Sequence, residues 1–150
     1  MPFLVYINCQ AAHSPWRAGR INGGIMVNQR IAVIGLGRIG SAFLRQMLQR
    51  NGKGIVIVCA AEPYDTPGKR EAEQAGIALK TLDEIVASAD AIDVLFDLTG
   101  IATVRRELRE KLAASGNNHT VIASETIARV IWALITDERL PVIEGRPTGY

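Results

Sequence analysis

The feature that most constrains the fold of this chain is a glycine-rich turn between a short apolar run and an amphipathic segment. The run 31–34 leads directly into the turn, which reads G-x-G-x-x-G. Apolar residues then recur at helical spacing, with Ile39, Phe43 and Met47 on one stripe. A strand, a tight glycine turn and a helix in this order are typical of the phosphate-binding start of a βαβ unit. The residues of the turn are Gly35, Leu36, Gly37, Arg38, Ile39 and Gly40.

Each glycine of the turn has a distinct expected task in binding a dinucleotide. Gly35 permits the tight turn, Gly37 leaves room for a pyrophosphate near the backbone, and Gly40 lets the helix pack closely on the strand. The beginning of the helix then offers unpaired N–H groups and the positive end of its dipole to the phosphates. The turn therefore predicts a dinucleotide site, with a different adenine ligand on the same fold as an alternative.

An acidic residue after the second apolar run predicts which dinucleotide is bound. Glu62 follows the run 54–61, at a position where a carboxylate accepts hydrogen bonds from the adenosine ribose hydroxyls. Because this carboxylate would repel a 2′-phosphate, Glu62 favours NAD over NADP. Lys69 and Arg70 lie a loop away and are the cations that NADP would need. The alternative for Glu62 is a solvated side chain beside a glycine-rich turn.

Strand and helix patterns alternate from about residue 26 onward, as in a parallel sheet covered by helices. Thr81 and Glu84 fit a capping box at the start of one of the helices. Right-handed crossovers then predict a single doubly wound α/β domain, a Rossmann fold with strand order 3-2-1-4-5. The pattern predicts strands at 30–35, 54–61, 77–79, 92–98 and 120–123, helices at 38–50, 68–75, 81–89, 101–114 and 125–136, and a further edge strand at 140–144.

Two more segments are expected to meet the glycine turn at the carboxyl ends of the strands, where doubly wound sheets bind ligands. Leu98, Thr99 and Gly100 follow the fourth strand, and Ser124 and Glu125 follow the fifth. We expect Thr99 and Gly100 to line the nicotinamide ribose, and Ser124 and Glu125 to face the nicotinamide end. An N-cap of the last helix is an equally good interpretation of Ser124.

Few side chains are candidates for catalysis, and the sequence assigns none of them. Asp97 fits either a general base or a structural carboxylate that caps the following helix or hydrogen-bonds its own loop, and we favour the structural interpretation. His119 begins the fifth strand, at the end of the sheet opposite the crevice, and is a poor base there. The basic run that includes Arg105 and Arg106 is interpreted as a solvated helix face. No spacing suggests a metal site, so none is predicted.

From 29 to 136 the chain resembles the NAD(P)-binding domain of the glucose-fructose oxidoreductase / inositol dehydrogenase family, and homoserine dehydrogenase has a similar domain. The resemblance rests on the glycine turn, on Glu62, and on the segments 97–100 and 121–126. It implies a nucleotide-binding role and a separate substrate domain. After the fifth strand the family usually reads Glu-Lys-Pro, with the lysine assisting catalysis. Here Thr126 follows Glu125, so the corresponding ammonium group is missing.

The sequence therefore predicts an NAD(P)-binding domain of oxidoreductase type without a complete active site of its own in this chain. The alternative is a regulatory module that senses a nucleotide or redox state and acts through a partner protein or a fused domain. The last helix is expected to bury Ile127, Val130, Ile131, Leu134 and Ile135. If Trp132 is exposed, this helix would contact a second copy of the chain or a partner domain.

The composition mainly excludes classes of partner and of fold. The formal net charge is +2, which points to neither nucleic acid nor a membrane surface, and no apolar run is long enough to span a bilayer. The two cysteines, Cys9 and Cys59, indicate no disulfide framework, so we expect a cytoplasmic protein. Residues 1–25 lack periodicity, so we expect either that Met26 is the natural start or that 1–25 is a loosely held extension, with 26–150 as the domain. The alternative is an edge strand at 3–7.

Overall fold

The computed structural model of the protein describes residues 20–21, 24–25 and 27–145. The possible edge strand at 3–7, Cys9 and His13 lie outside these residues. Within the predicted extension, the backbone of β1 (Arg20–Ile21) pairs antiparallel with that of β2 (Gly24–Ile25). The assignment of 1–25 as an extension stays a prediction.

A five-stranded parallel sheet forms the centre of the domain. Its strands are β3 (Gln29–Ile34), β4 (Ile55–Ala61), β5 (Ala78–Leu79), β6 (Val94–Asp97) and β7 (Val121–Ser124). They lie in the order β5-β4-β3-β6-β7, which is 3-2-1-4-5 when the parallel strands are counted along the chain. The doubly wound α/β fold predicted from the sequence is therefore confirmed.

Five α-helices connect or follow these strands. They are α1 (Arg38–Gln49), α2 (Pro67–Gln74), α3 (Leu82–Ala87), α4 (Ala102–Ala114) and α5 (Glu125–Ile135), with a 3-10 turn at Ala89–Ala91. The predicted capping box at the start of α3 is confirmed. The Thr81 side chain accepts from the backbone N–H of Glu84, and the Glu84 carboxylate accepts from the N–H of Thr81.

The helices cover the two faces of the sheet with separate apolar cores. On one face α1, α2 and α5 pack through Phe43, Ala72 and Trp132. On the other face α3 and α4 pack through Ile85 and Leu108. Because both faces of the sheet are covered, successive residues of the central strands are apolar, which is the pattern of a buried parallel sheet.

A charged cluster holds the amino-terminal edge of the sheet. The Asp93 carboxylate accepts from the backbone N–H of Arg30 at 2.7 Å and from its guanidinium Nη2 at 2.7 Å. Hydrogen bonds from Arg30 lower the pKa of Asp93. The His119 Nε2 lies 3.6 Å from an Asp93 oxygen, so this imidazole belongs to the edge opposite the glycine turn, as expected.

Two expectations about the end of the chain are wrong. The segment 140–144 forms no strand, although Leu140 is buried in the core beside α1 and α5. Helix α5 also buries a different face from the one predicted. Glu125, Ala128 and Trp132 are buried, whereas Ile127, Val130 and Leu134 are 49, 54 and 80% exposed.

The orientation of α5 follows from polar contacts that periodicity does not reveal. The indole Nε1 of Trp132 donates to the carbonyl of Glu138 at 2.7 Å, so the ring can be buried with its N–H satisfied. Ile131 and Ile135 are only partly buried. The helix is apolar on most of its circumference, and spacing alone therefore could not select the inner face.

Candidate functional site

The three glycines of the turn differ in the space around them. Gly35 has φ +88°, and a Cβ there would lie 2.8 Å from the backbone nitrogen of Thr99. A Cβ on Gly40 would overlap the carbonyl oxygen of Gly35. At Gly37 a Cβ would meet no atom within 4 Å. Gly35 and Gly40 are thus required by the fold itself, whereas Gly37 leaves open space above the start of α1.

The neighbouring strand and loop hold the turn through its backbone. The N–H of Gly35 donates to the carbonyl of Ala61 at 2.8 Å. The N–H of Leu36 donates to Glu62 Oε2 at 2.7 Å, and the carbonyl of Leu36 accepts from Thr66 Oγ1 at 3.0 Å. Both polar groups of Leu36 are therefore satisfied by side chains from the segment between β4 and α2.

A cleft of about 500 Å³ opens beside Gly37. It is lined by Leu36, Gly37, Arg38, Ser41, Ala42, Arg45, Thr66, Pro67 and Pro141. Helix α1 begins here without a side-chain cap and without an acidic residue in its first turn. Its first N–H groups and the positive end of its dipole therefore favour an anion.

Two arginines line the cleft, one of them exposed and the other paired with a carboxylate. Arg38, at the start of α1, is exposed. Arg45 donates through Nε to Glu71 on α2 at 2.7 Å, and this hydrogen bond raises the pKa of Arg45. Part of the positive charge near the cleft is thus neutralised by the protein, and the pair ties α1 to α2.

Glu62 lies beside the turn, as its position after β4 predicts. One carboxylate oxygen accepts from the N–H of Leu36, and the other accepts from the N–H of Tyr64 at 3.0 Å. The side chain is partly buried, and because both its oxygens accept from backbone N–H groups it has protein partners besides solvent. Arg70, one of the cations considered for NADP, is bound to Asp65 through Nε at 3.0 Å and Nη2 at 2.7 Å.

The segment after β6 packs directly on the glycine turn and is organised by Asp97. One Asp97 oxygen accepts from the backbone N–H of Thr99 at 3.1 Å and from its hydroxyl at 2.7 Å. The other oxygen accepts from Arg105 Nε at 3.0 Å. The contact between Gly35 and Thr99 places this segment against the turn. Asp97 therefore holds its own loop, in line with the interpretation favoured from the sequence.

Arg105 does not belong to a solvated helix face, contrary to the prediction. The Arg105 side chain is 8% exposed and the Asp97 side chain is fully buried. A buried guanidinium needs a carboxylate partner, and the sequence does not show that α4 faces the carboxyl end of β6 at this position. Arg106, the next residue, is exposed as expected.

The third segment of the site is the junction of β7 and α5. Register pairs Ser124 with Asp97, and Asp97 with Ile34, so all three strand ends meet at one edge. Ser124 is buried and occupies the N-cap position, but its side chain makes no capping hydrogen bond. Glu125 is buried and accepts from Arg129 Nη2 at 2.8 Å. Arg129 also donates to the carbonyl of Pro141, at the rim of the cleft.

The structure thus brings the predicted site residues to one edge, while their contacts with a cofactor stay predictions. Sequence reasoning missed Thr66, Gly68, Arg105 and Arg129. A usable signal existed for Thr66, because a threonine before Pro67 is typical of an N-cap followed by proline at the first helical position. In the part of the chain that the structure describes, no group of three or more His, Cys, Asp or Glu residues could hold a metal ion.

Comparison with known proteins identifies the family. Residues 4–116 match the family model described as "D-isomer specific 2-hydroxyacid dehydrogenase, NAD binding domain". The chain belongs to this family. NAD as the cofactor, predicted from Glu62, and the Rossmann domain of dehydrogenase type are confirmed by this match. The resemblance noted from the sequence was to a different dehydrogenase family, so only its broader part is confirmed.

The individual relatives are either low in sequence identity to this chain or much longer than it. The D-3-phosphoglycerate dehydrogenase of Mycobacterium tuberculosis is 35% identical over 79 residues, which are 53% of this chain and 14% of that protein. The chain therefore spans a small part of the curated relatives it matches. A protein described as a myo-inositol dehydrogenase from Sinorhizobium meliloti superposes with a TM-score of 0.50 at 25% identity, over 63% of this chain and 27% of that one. Homoserine dehydrogenase from S. aureus, at 18% identity and a TM-score of 0.51 over 73% of this chain and 30% of that one, shares the fold.

No helix within residues 27–145, where all five helices lie, is both long and apolar enough to cross a membrane.

Proposed function

We propose that this domain binds NAD with the pyrophosphate over Gly37 and serves a dehydrogenase of the 2-hydroxyacid type. The observation that carries the proposal is the open space at Gly37, between two glycines whose Cβ positions are filled by backbone atoms. Folding alone does not require a glycine at this position, where the space is open and the adjacent helix has no side-chain cap. A bound phosphate group would use both features.

The residues around this space fit the parts of a dinucleotide. The uncapped N–H groups at Gly37 and Arg38 would bind the pyrophosphate oxygens. Glu62 would accept from the adenosine ribose hydroxyls through the lone pairs that Leu36 and Tyr64 leave free. The remaining predicted contacts are Leu98, Thr99 and Gly100 at the nicotinamide ribose, and Ser124 and Glu125 at the nicotinamide end. When bound, NAD supplies the hydride acceptor.

We propose further that the described residues do not form a complete active site. The acids at the crevice already have basic partners, because Asp97 binds Arg105 and Glu125 binds Arg129. Thr126 offers no ammonium group to a substrate oxygen. A proton relay for hydride transfer would then come from another part of the protein or from a partner. A regulatory NAD/NADH-sensing module is the alternative.

Calorimetric titration of the chain with NAD, NADH, NADP and NADPH tests the binding proposal. We expect micromolar binding of NAD or NADH and weaker binding of the phosphorylated forms. Absence of binding by all four would refute it. Incubation with NADH and a series of 2-oxo acids then separates the two roles. Oxidation of NADH by the chain alone would contradict the incomplete active site.

The preference for NAD is expected to depend on the charge of Glu62. Replacing it in Glu62→Gln keeps the shape but removes the charge that repels a 2′-phosphate. We expect the ratio of NADPH to NADH dissociation constants to fall about tenfold. NADH should bind less tightly because its ribose loses charge-assisted hydrogen bonds, and NADPH should bind more tightly because its 2′-phosphate no longer meets a carboxylate. Fluorescence titration measures both constants. Glu73→Gln on the exposed face of α2 is the control, and an equal change there would contradict the role of Glu62.

A contact surface on α5 is also part of the proposal. The outer face of α5, formed by Ile127, Val130 and Leu134, is apolar, and the two charged residues of the helix, Glu125 and Arg129, point away from it. We infer that a second copy of the chain packs there, because two uncharged faces meet without like-charge repulsion. Trp132, whose exposure was the condition set for a contact in the sequence analysis, is buried, so the proposed surface does not include it.

The α5 surface predicts a dimer that one charge disrupts. Leu134→Glu would place a carboxylate in the contact without affecting the core, since Leu134 is 80% exposed. Sedimentation velocity should show a concentration-dependent dimer for the unmodified chain and a monomer for this variant. Tyr64→Glu, at an exposed residue away from α5, should leave the dimer intact. A monomer at all concentrations of the unmodified chain would overturn the inference.

Two narrower assignments also stay proposals. Kinship to the glucose-fructose oxidoreductase / inositol dehydrogenase family has the fold similarity given above as its support. A cytoplasmic location has as its support that Cys59, the cysteine among residues 27–145, is free and buried.

A further inference from the structure

We propose that Thr66 is a positioning residue that orients the anion-binding N–H groups of the glycine turn. The inference rests on the proposed function, because it concerns the same site. It assigns to the start of α2 a task that the glycine motif itself does not include. The Thr66 clamp is defined here as Thr66 and Gly68 acting on the backbone of Leu36.

The Thr66 hydroxyl makes one hydrogen bond to the glycine turn and one to α2. It donates to the carbonyl of Leu36 at 3.0 Å and accepts from the backbone N–H of Lys69 at 3.1 Å. The second bond is the N-cap of α2, which begins with proline at the next position. One side chain therefore fixes both the start of α2 and a carbonyl of the glycine turn.

Holding the Leu36 carbonyl also fixes the N–H of Gly37. The carbonyl of Leu36 and the N–H of Gly37 belong to one planar trans peptide, so they point in opposite directions. With the carbonyl bound to Thr66, the N–H of Gly37 points away from Thr66. This N–H lies at the uncapped start of α1. In the preceding peptide, Glu62 holds the N–H of Leu36 in the same way.

Gly68 allows α2 to approach closely enough for this contact. A Cβ at Gly68 would lie 2.6 Å from the carbonyl oxygen of Leu36 and 2.6 Å from Cβ of Ser41. Alanine would normally be favoured over glycine inside a helix. At Gly68, alanine would push α2 away from the turn and lengthen the distance between the Thr66 hydroxyl and the Leu36 carbonyl. The close packing of α2 on the turn is thus part of the same arrangement.

The consequence is a turn that is already organised for phosphate before a ligand arrives. Without the clamp, the peptide between Leu36 and Gly37 could rotate, and binding would have to order it again. Ordering on binding lowers affinity. Because a neutral hydrogen bond contributes on the order of tenfold to an equilibrium, removal of the clamp should weaken NAD binding by about tenfold.

The test compares two threonines with the same capping chemistry. Thr66→Val and Thr81→Val each remove an N-cap, but only Thr66 contacts the glycine turn. Both variants should lose similar stability in urea. We expect Thr66→Val to raise the NAD dissociation constant about tenfold and Thr81→Val to change it less than twofold. Thr66→Ser, which keeps both hydrogen bonds, should restore binding to within about twofold.

A second readout does not depend on NAD. In the free protein, Thr66→Val should shift the amide resonance of Gly37 and speed its hydrogen exchange, whereas Thr81→Val should not. Equal effects of the two valine variants on NAD affinity, or no change at the Gly37 amide in Thr66→Val, would overturn the inference. If the amide changes as expected but the unmodified chain binds no NAD, the proposed function fails while the clamp on the turn stands.

Discussion

Gly37→Val is expected to abolish NAD binding while leaving the protein folded. The backbone of Gly37 has φ −72° and ψ −155°, so its φ lies outside the left-handed region that favours glycine. Its Cβ would meet no protein atom within 4 Å, so the core is not disturbed. The side chain would instead fill the space assigned to the pyrophosphate. We expect the dissociation constant for NAD to rise at least a hundredfold, measured by calorimetry.

Gly40→Ala is the matched control for this prediction. Its Cβ would overlap the carbonyl oxygen of Gly35, so the turn and α1 would have to separate. We expect a lower melting temperature for Gly40→Ala and a nearly unchanged one for Gly37→Val. NAD binding by Gly37→Val within threefold of the unmodified chain would contradict the assignment of the pyrophosphate to this space.

Arg105→Met is expected to cause a large loss of stability, about 3–5 kcal/mol in the free energy of unfolding. Arg105 is 8% exposed and Asp97 is fully buried, so the variant leaves a buried carboxylate without its guanidinium. Urea denaturation followed by circular dichroism measures the change. The cost arises from desolvation of the remaining charge rather than from the strength of the pair itself.

Arg106→Met provides the control, because the neighbouring arginine on α4 is exposed. This variant should change the free energy of unfolding by less than about 0.5 kcal/mol. The double variant Asp97→Asn with Arg105→Met removes both charges, keeps an acceptor for Thr99 and should be more stable than Arg105→Met alone. Similar losses for Arg105→Met and Arg106→Met would show that the Asp97–Arg105 pair does not hold the segment after β6.

Much of the fold could be predicted from the sequence because its signals are local. The turn at 35–40 needs glycine for conformational and steric reasons that act within a few residues. Thr81 and Glu84 satisfy each other's backbone groups one turn apart, so their spacing alone predicts the start of α3. The alternation of apolar runs with amphipathic segments then restricts the topology to a doubly wound sheet.

The partners of buried polar groups could not be predicted in this way. Asp97 and Arg105 are eight residues apart, and their pairing depends on how α4 docks against the end of β6. Glu62 reaches Leu36 across 26 positions, and Thr66 reaches the same residue across 30. Such contacts follow from the packing of α1 and α2 on one face of the sheet, which periodicity does not describe.

Helix α5 shows the same limit for apolar residues. Its sequence is apolar on most sides, and the face that looked buried includes Leu134, which is exposed. The inner face is selected by Trp132, whose indole finds an acceptor at Glu138, and by the Glu125–Arg129 pair. Hydrophobicity is not directional, so it favours burial without choosing among several apolar faces. Hydrogen bonds are directional, and they decide the choice only once the chain is folded.

The sequence by itself determined the class of fold, the position of the glycine turn and the acid that follows the second strand. These features depend on backbone geometry and on period, both of which are readable over short stretches. Only the tertiary structure decided which glycine leaves open space, which arginine is buried and which face of α5 is free. Each of these depends on atoms that are distant along the chain, and their positions exist only after the helices have packed on the sheet.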